Sequence, residues 1–164
     1  LKESINVIGL GTTCGVPDWK GYVSPHDGPI AARTRAAGAV LLGKTNVPPM
    51  LADWQSANPI FGRTSNPWDL TRTPGGSSGG SAAAIAAGLS ALEVGSDIGG
   101  SICVPAVFCG IYGHRPSETL LPRSGQFPMP PMPNAATVMG VQGPIALPLS
   151  VRVAVVTVSV SRVS

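Results

Sequence analysis

Charge is what this sequence has least of. Asp, Glu, Lys and Arg make up 12% of the 164 residues, and the formal net charge of +3 is scattered rather than clustered. Aromatic residues are equally sparse at 5%. Without a basic stripe, or aromatics interleaved with one, the chain has no electrostatic footprint for nucleic acid, and none is expected as a partner. No apolar run approaches the roughly 18 residues of a membrane-spanning helix. Leu1-Lys2-Glu3 is neither a start methionine nor the head of a secretory leader, so the chain reads as a fragment that begins inside a domain. Cys14, Cys103 and Cys109 are odd in number and show no C-x-x-C spacing, which argues against a disulfide framework and against zinc. They are expected to be reduced, buried thiols of a cytoplasmic protein.

Apolar residues, at 43%, are sufficient for one core, while 21 Gly and 17 Pro without a G-X-Y period indicate many turns and close backbone approaches. Asp27 is placed to cap a helix over 30–37, with Gly38 to end it. Ala39-Val40-Leu41-Leu42 is a short apolar run between glycines and predicts a buried strand, so helix followed by strand points to an α/β fold. Residues 58–74 hold no period and read as an ordered loop. That loop enters Gly75-Gly76-Ser77-Ser78-Gly79-Gly80 and then an alanine-rich helix, with Ser81 as a cap-like residue and Gly88 as its end. A second strand, over 91–94, precedes a second glycine turn, Gly95-Ser96-Asp97-Ile98-Gly99-Gly100-Ser101. Met129-Pro130-Pro131-Met132-Pro133 breaks regular structure and reads as a surface or lid loop, and residues 151–164 alternate as a half-exposed strand.

Two glycine loops beside regular structure invite a shared site, and three chemistries compete for it. Gly76-Ser77-Ser78-Gly79-Gly80 satisfies G-x-S-x-G, and Asp97 and His114 follow in the order of an α/β-hydrolase triad, which would make Ser78 the nucleophile. The turn-rich segment ahead of it, ending in Pro74, is a poor strand for a nucleophile elbow. A phosphate cradle at the helix start is the second reading, weakened because the 75–81 loop lacks a Lys-Ser/Thr pair.

The third reading comes from resemblance. Gly75 to Ser81, Gly95 to Ser101, Pro105-Ala106 and Phe108-Cys109-Gly110, in that order and spacing, resemble the amidase signature family. Gly43-Lys44-Thr45-Asn46-Val47-Pro48, Asn58-Pro59-Ile60-Phe61-Gly62-Arg63-Thr64 and Asn66-Pro67-Trp68 resemble it as well, from Lys2 to about Ala146. The resemblance implies an α/β/α fold around a mixed, mainly parallel sheet, with a partial core over 1–146 and an atypical tail over 147–164. It implies amide C–N hydrolysis with no metal or organic cofactor, on a small-molecule amide, and it allows a homo-oligomer. An A-type amidotransferase subunit that serves glutamyl-tRNA, or an inactive fragment, carries the same motifs.

By the same resemblance Ser101 is the nucleophile, Ser77 a second serine after a cis peptide from Gly76, and Lys2 the base. Ile98, Gly99, Gly100 and Ser101 would supply oxyanion N–H groups, Leu51 would line the acyl site, and Ser78 and Asp97 would support the loops. A neutral lysine base requires a shift from about 10.4 to about 7.5, roughly 4 kcal/mol, which burial can supply. Trp54, Trp68 and Phe61 are expected to be packing residues and His114 structural. Cys103 stands where the family usually carries Arg, leaving Asp97 without that charged partner. After Gly143-Pro144-Ile145-Ala146 relatives continue for several hundred residues, so this chain is expected to be a truncated member.

Overall fold

The computed structural model describes residues 1–126 and 140–147, and the readings made for 129–133 and 151–164 lie outside them. The elements in chain order are α1 (Pro29–Ala36), the short strands β1 (Ala57–Asn58) and β2 (Gly62–Arg63), α2 (Gly79–Ala86), β3 (Leu92–Asp97), α3 (Cys103–Cys109), β4 (Tyr112–Gly113) and β5 (Val141–Ala146). Single 3-10 turns occur at Pro17–Trp19 and Pro49–Leu51. Among the described residues no helix is long and apolar enough to cross a membrane.

The main sheet has the order β3-β5-β4, and both pairings are antiparallel. A mainly parallel sheet was the expectation; parallel pairing enters at the isolated bridge between Lys2 and Thr45. Lys2 N–H also donates to Val94 O at 3.0 Å, so the amino-terminal segment docks on β3. Residues 39–42 form no strand: Val40 is 82% exposed and Leu42 79%. An apolar run becomes a strand only where a neighbour accepts its hydrogen bonds, and among the described residues this segment has no such ladder.

α1 begins on Pro29, with Gly28 at the cap position, and Asp27 does not cap it. Asp27 instead accepts from the Ile8 N–H at 2.8 Å and pairs with Arg35 at 2.9 Å. Gly38 and Gly88, both with positive φ, follow α1 and α2 as expected. α2 starts two residues before Ser81, with Ser78 at its cap position and no side-chain cap bond, so Ser81 is helical rather than capping.

The core has two parts. Leu1, Ile5, Val7, Ile30, Ala31, Leu121 and Val94 of β3 form one; Ala82 and Ile85 of α2, Ile102, Ala106 and Cys109 around α3, Ile111 and Ile145 of β5 form the other. Side chains of a strand alternate between faces. Gly95 abuts Ser78 and Ile145, whereas Val94 and Ser96 face the amino-terminal segment, where Ser96 meets Lys2. Small residues let α2 sit close: a Cβ on Gly80 would lie 2.4 Å from Asn46 N and 2.5 Å from Asn46 O. Gly80→Ala is therefore expected to destabilise the fold by about 2–3 kcal/mol through overpacking against backbone, read as a lower denaturant midpoint at unchanged slope.

Candidate active site

Lys2 enters the site from the segment docked on β3 and is fully buried. Its Nζ lies 2.7 Å from Ser77 Oγ, 2.9 Å from Ser96 Oγ and 3.2 Å from Ser96 O. Burial removes water from the ammonium and pulls its pKa from 10.5 to about 7, against the opposing influence of Cys14 and of Asp97. The neighbouring Glu3 turns to the 11–14 loop, accepting from Thr13 N–H and, at 2.8 Å, from Cys14 N–H.

Ser77 follows a cis peptide from Gly76. Ser56 brackets that peptide: its Oγ donates to Gly75 O and accepts from Gly79 N–H, both at 3.0 Å. Gly76 tolerates no side chain, since a Cβ there would lie 2.7 Å from Asp53 O. Ser78 is buried and bonded through Oγ to the backbone of Ser96, and its N–H donates to Ser101 O at 3.1 Å. The Ser78-Asp97-His114 triad does not assemble, because His114 is exposed and Asp97 is engaged elsewhere.

Asp97 organises the loop that carries Ser101. Its carboxylate accepts from Gly100 N–H at 2.8 Å, Ile102 N–H at 2.7 Å and Cys103 N–H at 3.3 Å. The backbone bonds and Arg115 hold its pKa down against desolvation, the largest influence, which acts upward. The expectation that Cys103 leaves this aspartate without a charged partner is corrected: Arg115 Nε sits 3.4 Å from Asp97 Oδ1. Cys103 is exposed rather than buried as expected, whereas Cys14 and Cys109 are buried. The Gly100 amide faces Asp97, so Gly100 contributes its φ of +103° to the turn rather than an N–H to a substrate.

Ser77, Ser96, Ile98, Gly99 and Ser101 open onto one cavity of about 550 Å³, closed on its other side by the 51–55 segment. Leu51 lines it as expected, and Met50 and Leu51 hold φ of +55° and +59°, a left-handed backbone that bulky residues rarely adopt. Trp54, read from sequence as a packing residue, lines the cavity and reaches the Gly100 turn. Trp68 and Phe61, expected to pack, are 71% and 57% exposed, although Trp68 Nε1 donates to Cys109 O at 2.7 Å. Ser56, Ser96, Trp54 and Arg115 are the site residues that sequence reading missed. Only Ser96, inside the second glycine motif, carried a local signal.

A family model described as Amidase matches residues 1–162. The A-type subunit of glutamyl-tRNA(Gln) amidotransferase from a Cyanothece species is 46% identical over 125 residues, which are 76% of this chain and 26% of that protein. The crystal structure of the corresponding protein from Thermotoga maritima superposes with a TM-score of 0.78 at 36% identity, covering 88% of this chain and 31% of that one. A 6-aminohexanoate cyclic dimer hydrolase superposes with a TM-score of 0.83 at 35% identity, covering 93% and 32%. The chain thus spans about a quarter of the curated relative and a third of the solved ones.

Between pH 7 and 9 the unfolded chain holds a proton on Lys2 that the folded chain has released, so Lys2 should add stability as pH rises there, by at most about 1.4 kcal/mol per unit, and Lys44, lowered to about 8, adds its own share above that value. Lys2→Met should remove the share that begins near pH 7 in urea titrations at successive pH values. Arg115→Met should cost about 1–2 kcal/mol by unpairing a buried carboxylate that keeps its three backbone donors, measured by the same titration.

Proposed function

Because this chain belongs to the amidase family, we propose that it carries the acyl-transfer centre of an amide hydrolase, with Ser101 as nucleophile and Ser77 and Lys2 as its proton relay. The observation that carries the reading is the fully buried Lys2 Nζ, 2.7 Å from a serine that shares a cavity with Ser101. Neutral near pH 7, the Lys2 amine takes the Ser77 proton while Ser77 Oγ takes that of Ser101, whose oxygen attacks the amide carbonyl. The developing oxyanion is met by backbone N–H groups at Ile98, Gly99 and Ser101. Ser77 returns a proton to the departing amine, the C–N bond breaks, and water activated through the same relay releases the acid. This chemistry is complete in protein groups, and cysteines outside any disulfide fit a cytoplasmic setting.

The 51–55 wall supports a small-molecule amide whose acyl part packs on Leu51 and Trp54. A second reading is favoured by curated relatives that are themselves A-type subunits of glutamyl-tRNA(Gln) amidotransferases. There the amide would be that of glutamine and the ammonia would pass to a partner protein. Glutamine hydrolysis that appears only when such partners are added selects this reading over a stand-alone amidase.

A fluorophosphonate probe should form its adduct on Ser101, at a rate that rises with pH through about 7. Ser101→Ala should abolish labelling, and Lys2→Arg should label no faster than Lys2→Ala, since guanidinium stays protonated and accepts nothing. An adduct mapped to Ser78, or near-normal labelling of Lys2→Arg, rejects the assignment.

A further inference from the structure

A second lysine braces the segment that carries Lys2. Lys44 lies next to Thr45, whose backbone pairs with Lys2 and whose carbonyl accepts the Glu3 N–H at 3.0 Å. Lys44 Nζ donates to Gly11 O at 2.6 Å and to Thr12 Oγ1 at 2.5 Å. The same loop turns its next two amides, Thr13 and Cys14, toward the Glu3 carboxylate, and Cys14 O accepts the Met50 N–H at 2.9 Å. The 11–14 loop therefore joins three things: the ammonium of Lys44, the segment carrying Lys2 and Glu3, and the left-handed Met50-Leu51 turn that enters the cavity wall.

Glu3 is 4% exposed, and a buried carboxylate without a nearby cation is costly. Lys44 acts on Glu3 electrostatically, and its two donated bonds fix the start of the loop whose next amides hold that carboxylate. We propose that Lys44 is a positioning residue: its amine clamps the 11–14 loop over Glu3, and the clamp holds the Lys2 amine at Ser77. This rests on the reading of Lys2 as the base.

The pH dependence separates the two lysines. Burial lowers Lys44 to about 8, opposed by Glu3 and Cys14, the titratable groups that face it. Lys2, faced by Cys14 and Asp97, is lowered to about 7. Below about 7 the base holds its proton. A lowered Lys44 means that the folded chain favours its neutral amine, which still donates two bonds, so acylation should rise through about 7 and not fall as Lys44 titrates.

The test measures the rate of fluorophosphonate labelling of Ser101 against pH in the native chain, Lys44→Arg and Lys44→Met. Nitrogen-15 NMR of the lysine side chains accompanies it, with signals from Lys2, Lys20 and Lys44 alone. The native chain should show one limb, rising through about 7. Lys44→Arg, which keeps donors for Gly11 O and Thr12 Oγ1, should stay near the native rate. Lys44→Met should label about tenfold more slowly near pH 7.5, as a displaced base does, and its Lys2 midpoint should move up toward the ordinary lysine value as water enters. A Lys44→Met chain with the native rate and native Lys2 midpoint overturns the proposal. If neither variant folds, Thr12→Val, which removes one of the two acceptors, decides by the same two readings. Failure of Ser101 to label at any pH would sink the hydrolase reading instead, and the Lys2 midpoint in Lys44→Met would then decide the clamp by itself.

Discussion

Lys2 Nζ has no contact with water, yet it sits within hydrogen-bond distance of Ser77 Oγ, Ser96 Oγ and Ser96 O. Taking an ammonium out of water costs several kcal/mol unless the group is paired or gives up its proton. Here three oxygens receive it, and its proton affinity falls to the range in which a base can work near neutral pH. The rest of the site can be read as the structure needed to keep that arrangement dry. Leu1 beside it belongs to the first apolar cluster, and Val94, whose carbonyl accepts the Lys2 amide, belongs to the same cluster.

Two carboxylates brace the site from opposite directions. Glu3 gathers the amides of Thr13 and Cys14 behind the lysine, and Asp97 gathers those of Gly100, Ile102 and Cys103 around Ser101. Each exchanges hydration for backbone donors, which fixes loop geometry more tightly than side-chain packing alone would. Each also has a cation nearby, Lys44 for Glu3 and Arg115 for Asp97. A chain with only 12% charged residues thus places several of its few charges around one cavity.

The glycine-serine loops were legible because their chemistry is local. Gly75 to Ser81 and Gly95 to Ser101 announce tight backbone beside a helix and a strand, and the structure puts α2 and β3 there. Other elements were not. Val141-Gln142-Gly143-Pro144-Ile145-Ala146 has the composition of a turn at its centre, yet it is the middle strand of the sheet, buried at every position. Residues 39–42 have the composition of a buried strand and are not one. In both cases a neighbour's hydrogen bonds, absent from local sequence, made the decision.

Residue types, their order and the family they mark were determined by the sequence alone, since Gly, Ser and Lys at those positions suit few chemistries. Which groups meet was decided only by tertiary structure. Arg115 reaches Asp97 across 18 positions of chain, Trp54 turns into the cavity, and Ser96 receives Lys2 from 94 positions away. Desolvation and Coulomb interactions depend on distance through space and on water excluded by the whole fold, so no local pattern of residues can state them in advance.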